Sequence, residues 1–172
     1  MNLPNLLTTI RFFLIPLFVI VYFSGQEFVA FGVLLLAGIT DIADGYIARK
    51  HNWVTDIGIL LDPLADKLMM LTVIISLLIS GKISVLVAIL IFIRDFGMIV
   101  SSIFFHFRGK KTVPANALGK MTTILFYLAI LFIIFKFPFY MKFLWFVVIF
   151  AFFTSMIYLF EFRKMNRKNQ SR

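Results

Sequence analysis

The chain has 172 residues, 62% of them hydrophobic, with 23 Phe and a mean hydropathy of +1.01. That is far more apolar surface than one small domain buries in water, so composition speaks against a soluble fold. Cys is absent, which excludes disulfides, thiolate metal sites and Cys nucleophiles. The formal charge of +9, from 17 Lys and Arg against 8 Asp and Glu, fits basic residues that flank membrane helices and face anionic lipid. A nucleic-acid partner is not expected.

Apolar runs of about 20 residues, the length that crosses a bilayer as a helix, fall near 6–23, 28–48, 57–80, 84–107, 116–137 and 141–162. The expected class is an all-α integral membrane protein, with six transmembrane helices in a single domain spanning 1–172. The opening Met1-Asn2-Leu3-Pro4-Asn5 lacks a basic leader and a small-residue cleavage site, so the first run is expected to be a retained helix. That helix carries Arg11. Asn5, Thr8 and Arg11 share one face at i, i+3 and i+6 and are expected to point into a site from this helix, with Asn5 alternatively a helix cap and Arg11 alternatively pairing with an acid or reaching the interface.

The second and third runs hold the main signal. Five of the eight acidic residues, Asp41, Asp44, Asp56, Asp62 and Asp66, lie within 26 positions. Asp41 and Asp44 are i, i+3 and Asp62 and Asp66 are i, i+4, so each pair occupies one helix face, and two antiparallel neighbours can direct four carboxylates into one space. Carboxylates in an apolar slab persist where they pair, bind a cation or line a watery cavity. Asp56, preceded by Thr55, is expected to cap the third helix or to meet its dipole. The other four, with no His or Cys beside them, favour a hard cation held by oxygen, Mg²⁺ or Mn²⁺. A site completed by substrate phosphates suits Mg²⁺ and points to phosphoryl chemistry on a pyrophosphate-bearing substrate. Gly45, Ala48 and Gly58 keep bulk away from the acids, although Gly58 reads equally as a helix-packing glycine.

The fourth run contains Arg94-Asp95, either a mutually neutralising pair or a source of positive charge for a ligand. The fifth opens Leu118-Gly119-Lys120, and the sixth ends in the basic tail Arg163 to Arg172, expected to be a topology anchor on anionic lipid. His51 and His106 are isolated and expected at the membrane interface. Eleven basic residues (Arg49, Lys50, Arg108, Lys110, Lys111, Lys120, Arg163, Lys164, Arg167, Lys168 and Arg172) flank one side, against Lys82, Lys136 and Lys142 on the other. This asymmetry places both termini and the acidic cluster in the cytoplasm, for a multi-pass protein of the cell membrane.

Written out, the acidic stretch is Asp41-x2-Asp44-Gly45-x2-Ala48-Arg49-x8-Gly58-x3-Asp62-x3-Asp66. All eight positions match the signature of the CDP-alcohol phosphatidyltransferases, and the chain resembles that family over essentially its whole length. The resemblance implies that Asp41, Asp44, Asp62 and Asp66 hold two divalent ions on the CDP pyrophosphate, with Asp66 also the general base toward the acceptor hydroxyl. It further implies that Gly45, Ala48, Arg49 and Gly58 line the CDP site, and that the enzyme is a homodimer working on CDP-diacylglycerol among membrane lipids, with release of CMP.

The stretch Asn2 to Pro16 is similar to the N-terminus common in bacterial phosphatidylglycerophosphate synthases, as is Leu118-Gly119-Lys120-x2-Thr123, which implies glycerol 3-phosphate as acceptor. Arg11, Arg94, Lys111 and Lys120, with Lys110, are then candidates for the acceptor or its phosphate. Arg94-Asp95 stands where those enzymes commonly carry Arg-Glu and is closer to the cardiolipin synthases, whose acceptor is phosphatidylglycerol; inositol phosphate and serine are further alternatives. A different class, a small cation transporter, would use the acids as a permeation site, but they lie at one end of the helices and the chain shows no internal repeat. A scaffold without activity would leave the eight-position match to chance.

Overall fold

The computed structural model describes the backbone of residues 3–51, 56–107 and 117–168, and the side chains of 9–43, 47, 50, 64–98, 100 and 118–160. Among the described residues all regular structure is helical: α1 (Leu3–Phe23), α2 (Glu27–His51), α3 (Asp56–Ile79), α4 (Val85–Phe107), α5 (Ala117–Ile134) and α6 (Tyr140–Lys168). All six expected helices are present. Four boundaries differ by three residues or more: α1 begins three residues early, α2 ends three residues late, α5 ends three residues early, and α6 continues six residues beyond its apolar run. Hydropathy marks where a helix is apolar, not where its hydrogen bonding stops; the Glu, Arg, Lys and Met of the tail are good helix formers.

What ends the helices is a repeated cap. After α1 the Gly25 N–H donates to the Tyr22 carbonyl (3.2 Å) and the Gln26 N–H to the Val21 carbonyl (3.3 Å), with Gly25 at φ +84°. This is a Schellman motif, which satisfies carbonyls that the helix end leaves open. After α3 the same pair runs from Gly81 to Leu78 and from Lys82 to Leu77, at 3.0 and 2.9 Å. After α5 it runs from Lys136 to Ile133 and from Phe137 to Phe132, and here Lys136 takes the left-handed conformation at φ 52°. A Cβ on Gly25 would meet nothing within 4 Å, so Gly25→Ala carries only the backbone cost. We expect it to lose about 1 kcal/mol, and Lys136→Gly to gain somewhat less, read as opposite shifts of a few degrees in thermal melts in detergent.

The helices pack as two units, Met1–Lys82 and Ile83–Arg172. In the first, α1 packs against both α2 and α3. Its seam is built from Leu14, Phe18 and Tyr22 of α1, Ala30, Leu34 and Ala37 of α2, and Ala65, Met69, Val73 and Leu77 of α3, all buried. Spacings of three and four residues put each set on one helix face, and the alanines let the backbones approach closely. Phe18 stacks on Tyr22 with ring centroids 5.6 Å apart, Lys82 Nζ lies 5.6 Å from the Tyr22 centroid, and Lys82 pairs with Glu27. In the second unit α6 packs on α4 and on α5. Val87, Ala88 and Ile91, Phe126, Ala129 and Ile130, and Val147, Val148 and Ala151 form its buried seams.

Among the described residues the surface is strongly apolar, over a core that is itself mainly apolar. Large apolar side chains such as Phe13, Ile20, Ile39, Ile42, Ile79, Ile124 and Ile149 are exposed, whereas Arg11, Ser76, Thr122 and Thr154 are buried. Among the described residues one window, Tyr140–Phe160, is long and apolar enough by length and composition to cross a membrane. Thr9–Phe23 and Leu118–Ile134 are shorter apolar stretches.

Candidate active site

The charged residues of the first unit continue its apolar seams. On α2 the buried line Ala30, Leu34, Ala37 advances by four and three residues, and the next steps of the same progression are Asp41 and Asp44. On α3 the line Ala65, Met69, Val73, Leu77 extends back through the register positions of Asp66 and Asp62. On α1 the line Tyr22, Phe18, Leu14 runs back to Arg11. Each helix thus passes from an apolar contact at one end to charge at the other along one face.

The consequence is visible at Arg11 and Asp41. Arg11 Nη1 lies 2.7 Å from Asp41 Oδ1, across the α1–α2 contact. The arginine side chain is 1% exposed and the carboxylate 41%. A guanidinium stays ionised, so it is tolerated in such a place only with an anion against it. Asp41 supplies that anion while keeping a large part of its own surface accessible. Of the three expectations for Arg11, a contact in the site, a pair with an acid or a reach to the interface, the structure displays the pair.

Asp66 is half-buried on α3 and follows the fully buried Ala65. α3 begins at Asp56, where the cap was expected. The side chains of Asp44, Gly45, Ala48 and Arg49 on α2, and of Gly58 and Asp62 on α3, lie outside the described residues, and so does Lys111 altogether. What the backbone places for Asp44 and Asp62 is their register beside Asp41 and Asp66.

The second unit carries the remaining basic candidates. Arg94 Nη1 donates to Asp95 Oδ1 at 2.6 Å and its Nε donates to Ser155 Oγ at 3.1 Å. Both charged side chains are mostly buried, at 10% and 18% exposure. Ser155 Oγ in turn lies 2.9 Å from the Ala151 carbonyl, so Arg94 fastens α4 to α6 through a hydroxyl anchored on α6. Ser155 escaped the reading of the sequence because a lone serine in an apolar helix satisfies itself on its own backbone and gives no periodic signal. The same holds for Thr122 and Thr154, whose Oγ1 atoms meet at 3.3 Å between α5 and α6. Lys120 is exposed near the start of α5. A Cβ on its neighbour Gly119 would lie 2.8 Å from Tyr158 Oη, so only glycine admits the tyrosine that closely.

Comparison with known proteins accounts for the arrangement. Residues 1–157 match the CDP-alcohol phosphatidyltransferase family. Among curated relatives, a protein of Rickettsia felis named CDP-diacylglycerol–glycerol-3-phosphate 3-phosphatidyltransferase is 41% identical over 128 residues, covering 72% of this chain and 70% of the relative. One of the same name from Rickettsia bellii is 42% identical over 128 residues with the same coverage. A third of that name, from Bacillus subtilis, is 36% identical over 137 residues, 71% of this chain and 70% of the relative. The chain belongs to the CDP-alcohol phosphatidyltransferase family, and is an enzyme of that class. The eight-position motif of α2 and α3 lies within the matched span.

Proposed function

We propose that the chain transfers the phosphatidyl group of CDP-diacylglycerol to a hydroxyl of glycerol 3-phosphate, forming phosphatidylglycerophosphate and releasing CMP. The observation that carries this reading is the complete acidic motif on α2 and α3, in a chain whose relatives are named for that reaction. The carboxylates of Asp41, Asp44, Asp62 and Asp66 are the ligands for divalent ions, Mg²⁺ or Mn²⁺, two in number. The donor set fits: all are hard oxygens, and Asp41 is already stationed opposite a full positive charge with much of its surface accessible. Such ions, when bound, neutralise charge on the pyrophosphate and on the leaving CMP.

Asp66 accepts the proton of the acceptor hydroxyl as that oxygen attacks the phosphorus bearing the diacylglycerol. A base in this position needs little intrinsic basicity, because binding holds the hydroxyl in place. Gly45, Ala48, Arg49 and Gly58 line the CDP site, with Arg49 against a phosphate oxygen. Lys111, Lys120 and Arg94 are the residues that offer charge to the acceptor phosphate, Arg94 while also tied to Asp95 and Ser155.

The apolar outward faces and buried polar groups support residence within lipid, and the asymmetry of basic residues supports six spans with both termini and the site in the cytoplasm. There the acyl chains of the donor remain in the bilayer while its nucleotide reaches the acids. The chain acts as one catalytic domain over 1–172, in a homodimer in the cell membrane.

The test is CMP release from CDP-diacylglycerol in detergent with Mg²⁺, comparing glycerol 3-phosphate, phosphatidylglycerol, inositol phosphate and serine. Release with glycerol 3-phosphate is expected to exceed release with serine by at least about a hundredfold, since a site built to bind a phosphate rejects an acceptor that leaves its charges unmatched, and to exceed release with inositol phosphate and phosphatidylglycerol, whose phosphates are attached to larger groups. Release with phosphatidylglycerol alone would move the chain to cardiolipin synthesis and leave the chemistry of the acids unchanged.

A further inference from the structure

Arg11 and Asp41 differ in one respect that decides what the arginine can do. The guanidinium is 1% exposed, whereas the carboxylate 2.7 Å away is 41% exposed. A polar ligand arriving from outside therefore reaches Asp41 and not Arg11. A buried guanidinium held against a carboxylate is poorly placed to hand its donors to an incoming phosphate, because leaving the pair would take a counter-charge from a cation that is 1% exposed. Arg11 also lies on the α1 face that continues through Leu14, Phe18 and Tyr22, all buried against α2 and α3, so the helix has no freedom to carry it outward.

We infer that Arg11 is a positioning residue for the metal site, a built-in counter-charge that orients the Asp41 carboxylate and moderates its affinity for a divalent ion. The inference rests on the metal-ligand reading of Asp41 given above. When the ion is away, the guanidinium supplies positive charge to a cluster that would otherwise repel itself. When the ion is present, the same charge opposes it from the buried side, so that the site binds its ion reversibly and together with the phosphates of the substrate.

The consequence runs against the usual effect of damaging a metal site. Removing Arg11's charge tightens the metal. Mn²⁺ alone, titrated into purified protein in detergent and followed by the EPR signal of free Mn²⁺, is expected to bind Arg11→Met about three- to tenfold more tightly than wild type, because one repelling unit charge has gone from beside a divalent ion. Arg11→Lys, which keeps the charge, is expected to stay within about twofold of wild type by the same reasoning. Unchanged or weaker binding by Arg11→Met, or equal tightening by Arg11→Lys, overturns the inference while leaving the metal site standing. No Mn²⁺ binding by wild type overturns the metal reading and the inference with it.

Should Arg11→Met fail to fold, Arg11→Met/Asp41→Asn, in which both charges are gone, is expected to return folded protein. Its failure to do so would show that Arg11 serves packing rather than charge and would overturn the inference.

Discussion

Asp66→Asn is expected to leave the chain folded and to cut CMP release from CDP-diacylglycerol by about a thousandfold or more. General-base catalysis alone is worth roughly a hundred- to ten-thousandfold, and the same substitution weakens a proposed metal ligand. The fold is expected to tolerate it because Asn keeps the shape of Asp and because the α3 seam is carried by Ala65, Met69, Val73 and Leu77, which are untouched. Asp66 itself is half-buried, so the amide that replaces the carboxylate retains access to solvent. The measurement is a CMP-release assay beside a thermal melt. Retention of more than about a tenth of the wild-type rate would take the base role from Asp66, since no general base contributes so little. A melt far below wild type would instead mean that the carboxylate serves the fold.

The helices were legible because apolar runs of membrane length separated by polar turns leave few other ways to satisfy the backbone. Their ends were less so. The end of α5 depends on Lys136 adopting a left-handed conformation that any propensity scale assigns to glycine, and the extent of α6 depends on a charged tail that stays helical although its hydropathy has ended. The acidic cluster was plain in the sequence, since carboxylates spaced at three and four residues in apolar surroundings have few structural uses.

The partnership of Arg11 with Asp41 was present only as one of three alternatives. Deciding between them needed the packing of α1 on α2, which makes Leu14, Phe18 and Tyr22 buried neighbours and so carries Arg11 inward with them. The contact of Arg94 with Ser155 was invisible for a related reason. The hydroxyl belongs to a helix 61 residues away in sequence, and nothing in the local pattern of α6 distinguishes Ser155 from a serine that merely bonds its own backbone. Contacts between helices are where sequence pattern stops, because periodicity states which face is inward and not which side chain it meets.

Asp41→Asn is expected to differ from Asp66→Asn in kind, although both remove one carboxylate from the same motif. Without Asp41 the Arg11 guanidinium, 1% exposed, faces an amide that cannot neutralise it. Breaking a fully buried ion pair on one side costs about 3 to 5 kcal/mol. Here the carboxylate is 41% exposed and water screens part of the interaction, so a loss of about 2 to 3 kcal/mol is the better expectation. In a chain of this length that is a fall of several degrees in the melting temperature in detergent, together with loss of CMP release. Arg11→Met/Asp41→Asn is expected to regain at least about half of the lost stability while remaining inactive, because contacting residues couple and the second change removes the stranded charge. An Asp41→Asn protein that melts with wild type would mean that the buried guanidinium draws its neutralisation from elsewhere, and the division between an acid that serves both fold and site and an acid that serves the site alone would fall.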